Sequence, residues 1–296
     1  MQPTSTSRLF TTMLVLALVC VPARSAQAQN VREHKDIVYG TVDGKELGLD
    51  IFIPSNVGSP LLLVWVHGGR WMNGSKDGSV PMQFVDAGFA VAGLDFRQST
   101  EARFPAMIHD IKGAVRFLRA HSDAYGYNSD RIAIAGSSSG AHLATLVGVT
   151  NDHSELEGTV GGNESTSSNV QAIISYYGAS DLTTILEQST PYGVGVREPA
   201  LEVLLGAVPE AAPKLAELAS PVTHVDRADP PLLLLHGDRD PQMPINQTHQ
   251  LEGVYEELGL DVYFDVVHGS AHGGPGFYTP EHLDRAIAFL ERTIGH

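Results

Sequence analysis

The sequence predicts an α/β domain with a mainly parallel central sheet, helices on both faces and an antiparallel hairpin at the N-terminal edge. From Asp36 onward, short apolar runs alternate with helical patterns, as in strands joined by crossover helices. Residues 61–66 read Leu-Leu-Leu-Val-Trp-Val, and a strand that is apolar throughout is typical of a parallel sheet covered on both sides. Residues 37–42 and 47–53 flank an Asp-Gly turn at 43–44, which predicts the hairpin.

The other elements follow in chain order. Apolar runs of strand length and periodic runs of helix length are separated by Gly, Pro and polar residues. The helical run at 106–120 places Ile108, Ile111 and Val115 on one face, so that face is expected in the core. The patterns predict strands at 89–94, 131–135, 170–176, 232–235 and 262–267, and further helices at 141–149, 247–258 and 281–294.

Two segments interrupt this alternation. Residues 150–169 are polar and rich in glycine, which predicts a surface loop. Residues 182–229 combine short helical patches with several prolines, and a small cap over an active site could sit at this point between core strands. A plain helical connection is the alternative, because periodicity does not separate the two.

Length and charge limit the classes of function. The chain of 296 residues suits one elaborated domain, placed at 29–296. It carries 34 Asp and Glu against 19 Lys and Arg, a formal net charge of −15. A field of that sign repels phosphate backbones and anionic lipid, so we expect neither nucleic-acid binding nor polybasic membrane binding.

The first 28 residues have the pattern of a signal peptide. Arg8 supplies a positive charge, residues 13–21 are apolar but too few to span a bilayer, and Ala26-Gln27-Ala28 gives a cleavage pattern. We therefore expect cleavage after Ala28, a secreted or periplasmic protein, and no stable membrane insertion afterwards. A retained anchor or a lipid-modified Cys20 are the alternatives. Cys20 is the one cysteine, so cleavage would exclude a cysteine nucleophile and thiolate metal sites, and no cofactor or metal is predicted.

A candidate nucleophile lies in Gly-Ser-Ser-Ser-Gly at 136–140. A short apolar strand runs into this segment and an Ala-rich helix leaves it, and this context gives meaning to an otherwise common pattern. The flanking glycines allow the tight turn and select Ser138 over Ser137 and Ser139. The arrangement resembles the nucleophile elbow of α/β-hydrolases, which places Ser138 at the end of the sheet beside a helix N-terminus.

A candidate oxyanion hole follows the apolar strand at 61–66. Residues 67–71 read His-Gly-Gly-Arg-Trp, which resembles the His-Gly-Gly-Gly-type loop of esterases and lipases. Backbone N–H groups act as the donors in such a loop, so arginine in place of the third glycine still supplies one. We expect the donors to be Gly69, Arg70 and Ser139. His67 is expected to order the loop rather than to act as a base.

The acid and the base are sought after Ser138 because α/β-hydrolases present serine, then acid, then histidine. Two aspartates compete after the strand at 232–235, and the family pattern Asp-x-x-Val-Pro falls on Asp240 rather than Asp238. Two histidines compete after the strand at 262–267. His272 matches the family pattern of small residues followed by His-Gly before a final helix, whereas His268 sits at the strand end.

These segments together resemble the family of bifunctional feruloyl and acetyl-xylan esterases over roughly residues 36 to 294. The resemblance rests on the segments already quoted and on Asp-Phe-Arg at 95–97, Asp-Arg-Ile-Ala-Ile-Ala-Gly at 130–136 and Tyr-Gly-Ala-Ser-Asp at 177–181. It implies a serine carboxylic ester hydrolase that acts through an acyl-enzyme on short acyl esters. Acetyl or feruloyl groups on plant polysaccharide, or small-molecule esters, are the implied substrates.

Five aromatic residues are candidates for lining the acyl and alcohol pockets, and core packing is an equal alternative for each of them. They are Trp71, Phe104, Tyr177, Phe277 and Tyr278.

Two other functions are weighed against ester hydrolysis. A serine peptidase or acyl-peptide hydrolase of the prolyl oligopeptidase type shares the elbow and the Asp240–Pro244 pattern. A non-catalytic carbohydrate-binding protein on a hydrolase fold is the third class, and the complete set of serine, acid and base candidates argues against it. The sequence leaves the oligomeric state open.

Overall fold

The computed structural model describes residues 30–295, which form one eight-stranded sheet flanked by helices. The strands are β1 (Val31–Val42), β2 (Lys45–Pro54), β3 (Leu61–Val66), β4 (Ala90–Leu94), β5 (Asn128–Ser137), β6 (Ala172–Tyr176), β7 (Leu232–Gly237) and β8 (Val262–Val267). The helices are α1 (Gln83–Asp86), α2 (Ala106–Ala120), α3 (Ser122–Tyr125), α4 (Ser139–Gly148), α5 (Ser154–Glu157), α6 (Ile185–Gln188), α7 (Pro191–Leu205), α8 (Pro213–Leu218), α9 (Asn246–Leu258) and α10 (Pro280–Ile294). Short 3-10 turns lie at Pro209–Ala211, Pro221–Thr223 and Pro275–Tyr278.

The strand order is β1-β2-β4-β3-β5-β6-β7-β8. β2 runs antiparallel to β1 and β4, and the remaining neighbours are parallel. Nearly every side chain of β3, β4, β6 and β7 is buried, because helices cover both faces of the sheet. The predicted fold class is therefore confirmed, and β5 occupies the middle of the sheet.

The N-terminal hairpin is longer than the predicted runs at 37–42 and 47–53. β1 starts at Val31, and its register against β2 shifts between His34 and Ile37, where Asp36 has a φ of 55°. The Asp36 amide donates a hydrogen bond to the Asp50 side chain at 2.8 Å. This irregularity interrupts the two-residue alternation of the edge strand, so periodicity alone did not extend the strand to Val31.

Helix α2 buries its polar side as well as its apolar face. Ile108, Ile111 and Val115 are in the core, as predicted, but Lys112 and Arg116 are also buried. The polar segment 150–169 covers them, and Glu157 of that segment forms ion pairs with both. The segment predicted as a surface loop is thus held against α2 by ion pairs with two buried side chains.

Replacing Glu157 with alanine is expected to lower the free energy of unfolding by about 3 kcal/mol. The change leaves the ammonium of Lys112 and the guanidinium of Arg116 enclosed without a counter-charge, which is far more costly than losing an exposed pair. Urea unfolding measures the effect. Glu155→Ala is the control, because Glu155 lies exposed on the same helix and should change stability by less than about 0.5 kcal/mol. Equal stability of both variants would contradict the expectation.

Residues 182–229 form a run of short helices, α6 to α8, with the two 3-10 turns at Pro209–Ala211 and Pro221–Thr223. Proline opens α7 and α8, where its missing N–H costs nothing. The N-terminus of helix α7 contacts the loop that follows Asp240, because the Thr190 hydroxyl donates to the carbonyl of Pro241 at 3.1 Å. The segment therefore lies against the acid-bearing loop, and a capping role for it stays a prediction.

Export was predicted from residues that the structure does not describe. The proposed signal peptide and Cys20 lie outside residues 30–295. Within 30–295, no helix has the length and apolar character needed to cross a bilayer.

Candidate active site

Ser138 sits at the sharp turn between β5 and α4. Its φ is 54°, an angle that L-residues rarely adopt, and its amide donates to the carbonyl of Tyr176 at 2.9 Å. A Cβ on Gly136 would lie 2.4 Å from the carbonyl oxygen of Gly140, and one on Gly140 would lie 2.2 Å from that of Val66. Both glycines are therefore required by backbone packing, and they hold Ser138 at the end of the sheet.

Three side chains from separate loops form a hydrogen-bonded array. The Ser138 hydroxyl lies 2.8 Å from Nε2 of His272, and Nδ1 of His272 lies 2.6 Å from Oδ2 of Asp240. The carboxylate can only accept, so Nδ1 carries the hydrogen and Nε2 is free to accept from the serine. The structure thus brings together the serine, the histidine and the aspartate selected from the sequence.

Asp240 is enclosed and its oxygens are fully engaged. Oδ1 accepts from the amides of Gln242 and Met243 at 2.8 and 2.9 Å, and Oδ2 faces His272 and, at 3.3 Å, Nε2 of His236. Burial raises the pKa of Asp240, but the hydrogen bonds from His236 and His272 outweigh burial and hold the pKa well below its usual range. The carboxylate therefore stays ionised and fixes the orientation of the imidazole.

Burial lowers the pKa of His272, and the positive charge of Arg197 acts in the same direction. The hydrogen bond and the charge of Asp240 oppose this shift without cancelling it. A lowered pKa keeps His272 neutral at and somewhat below neutral pH, which is the state that can take a proton from Ser138. The ring also packs edge-on against Tyr177, with centroids 4.9 Å apart.

Asp238 and His268, the alternative candidates for the acid and the base, form a separate pair. Nδ1 of His268 lies 2.9 Å from Oδ2 of Asp238, and the Gly269 amide donates to Oδ1 of Asp238 at 2.7 Å. The His268 side chain is 84% exposed. Asp238 therefore orders the loop, and within residues 30–295 neither Asp238 nor His268 forms a hydrogen bond with Ser138 or His272.

The loop after β3 presents the expected backbone donors. Gly69, Arg70 and Trp71 all have positive φ, of 134°, 59° and 61°. In the part of the chain that the structure describes, the amides of Gly69, Arg70 and Ser139 donate to no other protein group. Free N–H groups beside a helix N-terminus suit a developing negative charge.

His67 orders this loop rather than facing the serine. Its ring stacks on Phe96 at 4.6 Å, and Nδ1 lies 2.8 Å from the carbonyl of Gly68. Burial lowers its pKa. This placement agrees with the predicted ordering role.

His142 is a residue of the site that the sequence did not single out. Nδ1 accepts a hydrogen bond from the indole of Trp71 at 3.0 Å, and Nε2 donates to the carbonyl of Ala219 at 2.7 Å. It lies one helical turn beyond Ser138, and that spacing was the one signal that could have identified it. The buried ring joins the oxyanion loop, α4 and the 182–229 segment.

Three of the five aromatic pocket candidates belong to the core instead. Trp71 and Phe277 are fully buried, and Phe104 is only 4% exposed within the main core cluster. Each is covered by neighbouring elements, an outcome that sequence cannot show for a large apolar side chain. Tyr177 contacts His272 directly, and Tyr278 is half-buried and stacks on Tyr176.

Arg197 of α7 is the second residue that the sequence reasoning missed. Its Nε–H donates to the carbonyl of Gln242 at 3.2 Å, and Nη2 lies 3.5 Å from Nε2 of His272. The residue lies 75 positions before His272 in a segment without clear periodicity, so no local pattern pointed to it.

No group of His, Cys, Asp and Glu side chains suited to a metal occurs within residues 30–295.

An eight-stranded sheet of this order, with a serine elbow and the Ser138–His272–Asp240 array at its edge, defines an α/β-hydrolase of the esterase type. The BD-FAE family model matches residues 49–254, more than half of the sequence. The chain belongs to the BD-FAE family.

Curated relatives agree with that class. The chain is 32% identical over 219 residues to the probable carboxylic ester hydrolase LipM of Mycobacterium tuberculosis, covering 72% of this chain and 49% of LipM. It is 32% identical over 232 residues to esterase LipQ of the same organism, covering 76% of this chain and 53% of LipQ. The chain thus spans about half the length of the curated relatives it matches.

Solved structures are similar over nearly the whole described domain. A truncated carbohydrate esterase from gut microbiota has a TM-score of 0.80 and 29% identity, covering 88% of this chain and 95% of that one. A bifunctional GH43-CE protein of Bacteroides eggerthii has a TM-score of 0.79 and 33% identity, covering 88% of this chain and 35% of that one. Esterase 2 of Thermogutta terrifontis, with 23% identity and a TM-score of 0.70, shows the shared fold.

Proposed function

We propose that the protein is a serine carboxylic ester hydrolase that acts on short acyl esters through an acyl-enzyme. The observation that carries the proposal is the continuous array from the Ser138 hydroxyl through His272 to the ionised Asp240. A nucleophile, a base within hydrogen-bond reach and a group that orients the base are the parts that covalent acyl transfer requires.

The array accounts for both halves of the reaction. Nε2 of His272 takes the Ser138 proton as Oγ attacks the ester carbonyl carbon, and it returns that proton to the departing alcohol oxygen. The acyl group is then bonded to Oγ. In the second half, Nε2 takes a proton from water as the water oxygen attacks the acyl carbon, and the carboxylic acid leaves as Ser138 regains its proton.

Negative charge on the carbonyl oxygen is met by backbone donors. The free amides of Gly69, Arg70 and Ser139 are the groups we assign to this charge, and their positions are fixed before the substrate arrives. Pre-positioned donors contribute more than flexible ones, since no reorganisation accompanies the reaction, and one such donor is typically worth about 100–1,000-fold in turnover.

Acetyl and feruloyl esters of polysaccharide are the substrates we favour. Membership of the BD-FAE family supports them, as do the solved relatives described as a carbohydrate esterase and a GH43-CE protein. The signal-like segment 1–28 supports export to a secreted or periplasmic location, where polymeric substrates are met.

A substrate panel is expected to separate ester from peptide hydrolysis. Purified enzyme should hydrolyse 4-nitrophenyl acetate, release acetate from acetylated xylan and release ferulate from methyl ferulate, because the free backbone donors and the array suit an ester carbonyl. A proline-containing peptide anilide should be cleaved at least about 100-fold more slowly, since an amine is a poorer leaving group than an alcohol. Initial rates measure this. Faster cleavage of the anilide would support the peptidase alternative and contradict the proposal.

A further inference from the structure

The guanidinium of Arg197 lies at the reacting end of His272 with most of its donors unused. Nε–H is bonded to Gln242, Nη2 is 3.5 Å from His272, longer than a normal hydrogen bond, and Nη1 has no partner among the described residues. The side chain is fully enclosed. An enclosed cation with a free planar fork is costly unless another group pairs with it.

No carboxylate of the described chain pairs with this fork. Asp240 is the nearby acid, but its two oxygens already receive two backbone amides and two imidazoles. No acidic side chain between residues 30 and 295 lies within ion-pair distance of Arg197. The charge of Asp240 acts on Arg197 from a distance without a direct ion pair, so the unpartnered fork is left to pair with an anion from outside the protein.

Arg70 adds a second positive charge on the oxyanion loop, and its field reaches Arg197. It lies exposed on the oxyanion loop, has no ion pair in the described part of the chain, and acts on Arg197 as a like charge. Two arginines without an ion pair, one on the oxyanion loop and one at Nε2 of His272, are unexpected in a chain with a net charge of −15. Like charges held close together favour an anion between or beside them.

The position of Arg197 identifies which part of the substrate it meets. Nε2 of His272 is the atom that returns the proton to the departing alcohol oxygen, so groups around Nε2 face the alcohol part of the ester. Nη2 of Arg197 is such a group. A carboxylate bound by Nη1 and Nη2 would leave the bond from Nε–H to Gln242 in place, because Nη1 has no partner and Nη2 has only the long contact with His272.

We propose that Arg197 binds a carboxylate on the alcohol part of the substrate. This inference rests on the proposed ester hydrolysis and narrows its substrate class to acyl esters of hydroxy acids, with an acylated acidic sugar as the polymeric form. A guanidinium fork matches a carboxylate with two parallel hydrogen bonds, which neither lysine nor an amide can reproduce.

The test compares 4-acetoxybenzoate with 4-acetoxybenzamide, which differ only in a carboxylate or a neutral amide on the leaving phenol. In Arg197→Gln, kcat/KM should fall at least about 10-fold more for the benzoate ester than for the benzamide ester, the effect of a charge-assisted hydrogen bond. Comparing enzyme variants cancels the intrinsic reactivity of the two esters. Arg197→Lys should give an intermediate ratio, and Arg227→Gln, an exposed arginine bonded to the Leu258 carbonyl, should leave the ratio unchanged.

Inhibition of the unmodified enzyme provides a readout that does not depend on any variant folding. Benzoate should inhibit hydrolysis of the benzamide ester competitively and more strongly than benzamide does. Equal falls for both esters in Arg197→Gln, or equal inhibition by benzoate and benzamide, would overturn the carboxylate site while leaving ester hydrolysis intact. Failure of the enzyme to hydrolyse either ester, or 4-nitrophenyl acetate, would instead overturn the proposed function on which the inference rests.

Discussion

Ser138→Ala is expected to lower kcat for 4-nitrophenyl acetate by at least about 10⁴-fold, since the oxyanion donors alone cannot replace the covalent step. The variant should remain folded, because the one hydrogen bond of the Ser138 hydroxyl goes to His272. Water can take the place of the hydroxyl beside the imidazole. Initial rates and the release of one 4-nitrophenolate per enzyme in a burst measure the effect. The burst should be absent in the variant.

Ser139→Ala is the matched comparison for this prediction. The Ser139 hydroxyl is buried without a hydrogen-bond partner, and alanine retains the backbone N–H that we assign to the oxyanion. Its kcat should therefore stay within about threefold of the unmodified enzyme. Comparable losses in the two variants would contradict the assignment of Ser138 as the nucleophile.

Asp240→Asn is expected to lower kcat by about 10⁴-fold. An asparagine amide can donate to His272, which would favour the tautomer with hydrogen on Nε2 and so remove the acceptor for the Ser138 proton. The substitution also removes the charge that stabilises the imidazolium formed during attack. The loss should appear in kcat and in kcat/KM alike, measured with 4-nitrophenyl acetate.

Asp238→Asn tests whether the loss of kcat in Asp240→Asn comes from a disturbed loop rather than from the lost carboxylate. Asp238 lies two residues away in the same loop, and its partners are the exposed His268 and the amide of Gly269. This variant should retain kcat within about threefold. A large loss there, with little loss in Asp240→Asn, would reverse the assignment of the acid.

The sheet and the three-residue array were predictable because each depends on local sequence. Apolar runs such as β3 and β7 are buried on both faces, and the glycines around Ser138 are required by backbone contacts of the turn itself. Chain order then limited the acid and the base to one loop each. Resemblance to the family pattern Asp-x-x-Val-Pro selected Asp240 over Asp238, and the geometry agrees with that choice.

The surroundings of the array could not be predicted in the same way. Trp71, Phe104 and Phe277 are covered by elements distant in sequence, so their exposure is set by packing that no local pattern describes. Arg197 reaches His272 from a segment without regular periodicity. Buried Lys112 and Arg116 likewise depend on a loop that folds back over α2.

The ring of His142 makes the shape of the oxyanion loop sensitive to acid. Burial lowers its pKa to about 4, and in the neutral ring Nδ1 is the acceptor for the indole of Trp71. A second proton on the ring would make Nδ1 a donor that faces the indole N–H of Trp71. The hydrogen bond that holds the oxyanion loop to α4 would then be lost. Because unfolded chains take up that proton near pH 6.5, acidification between those values favours loosening of the loop. Acid therefore acts on this site at two separate places, by protonating Nε2 of His272 and by removing the acceptor that His142 offers to Trp71.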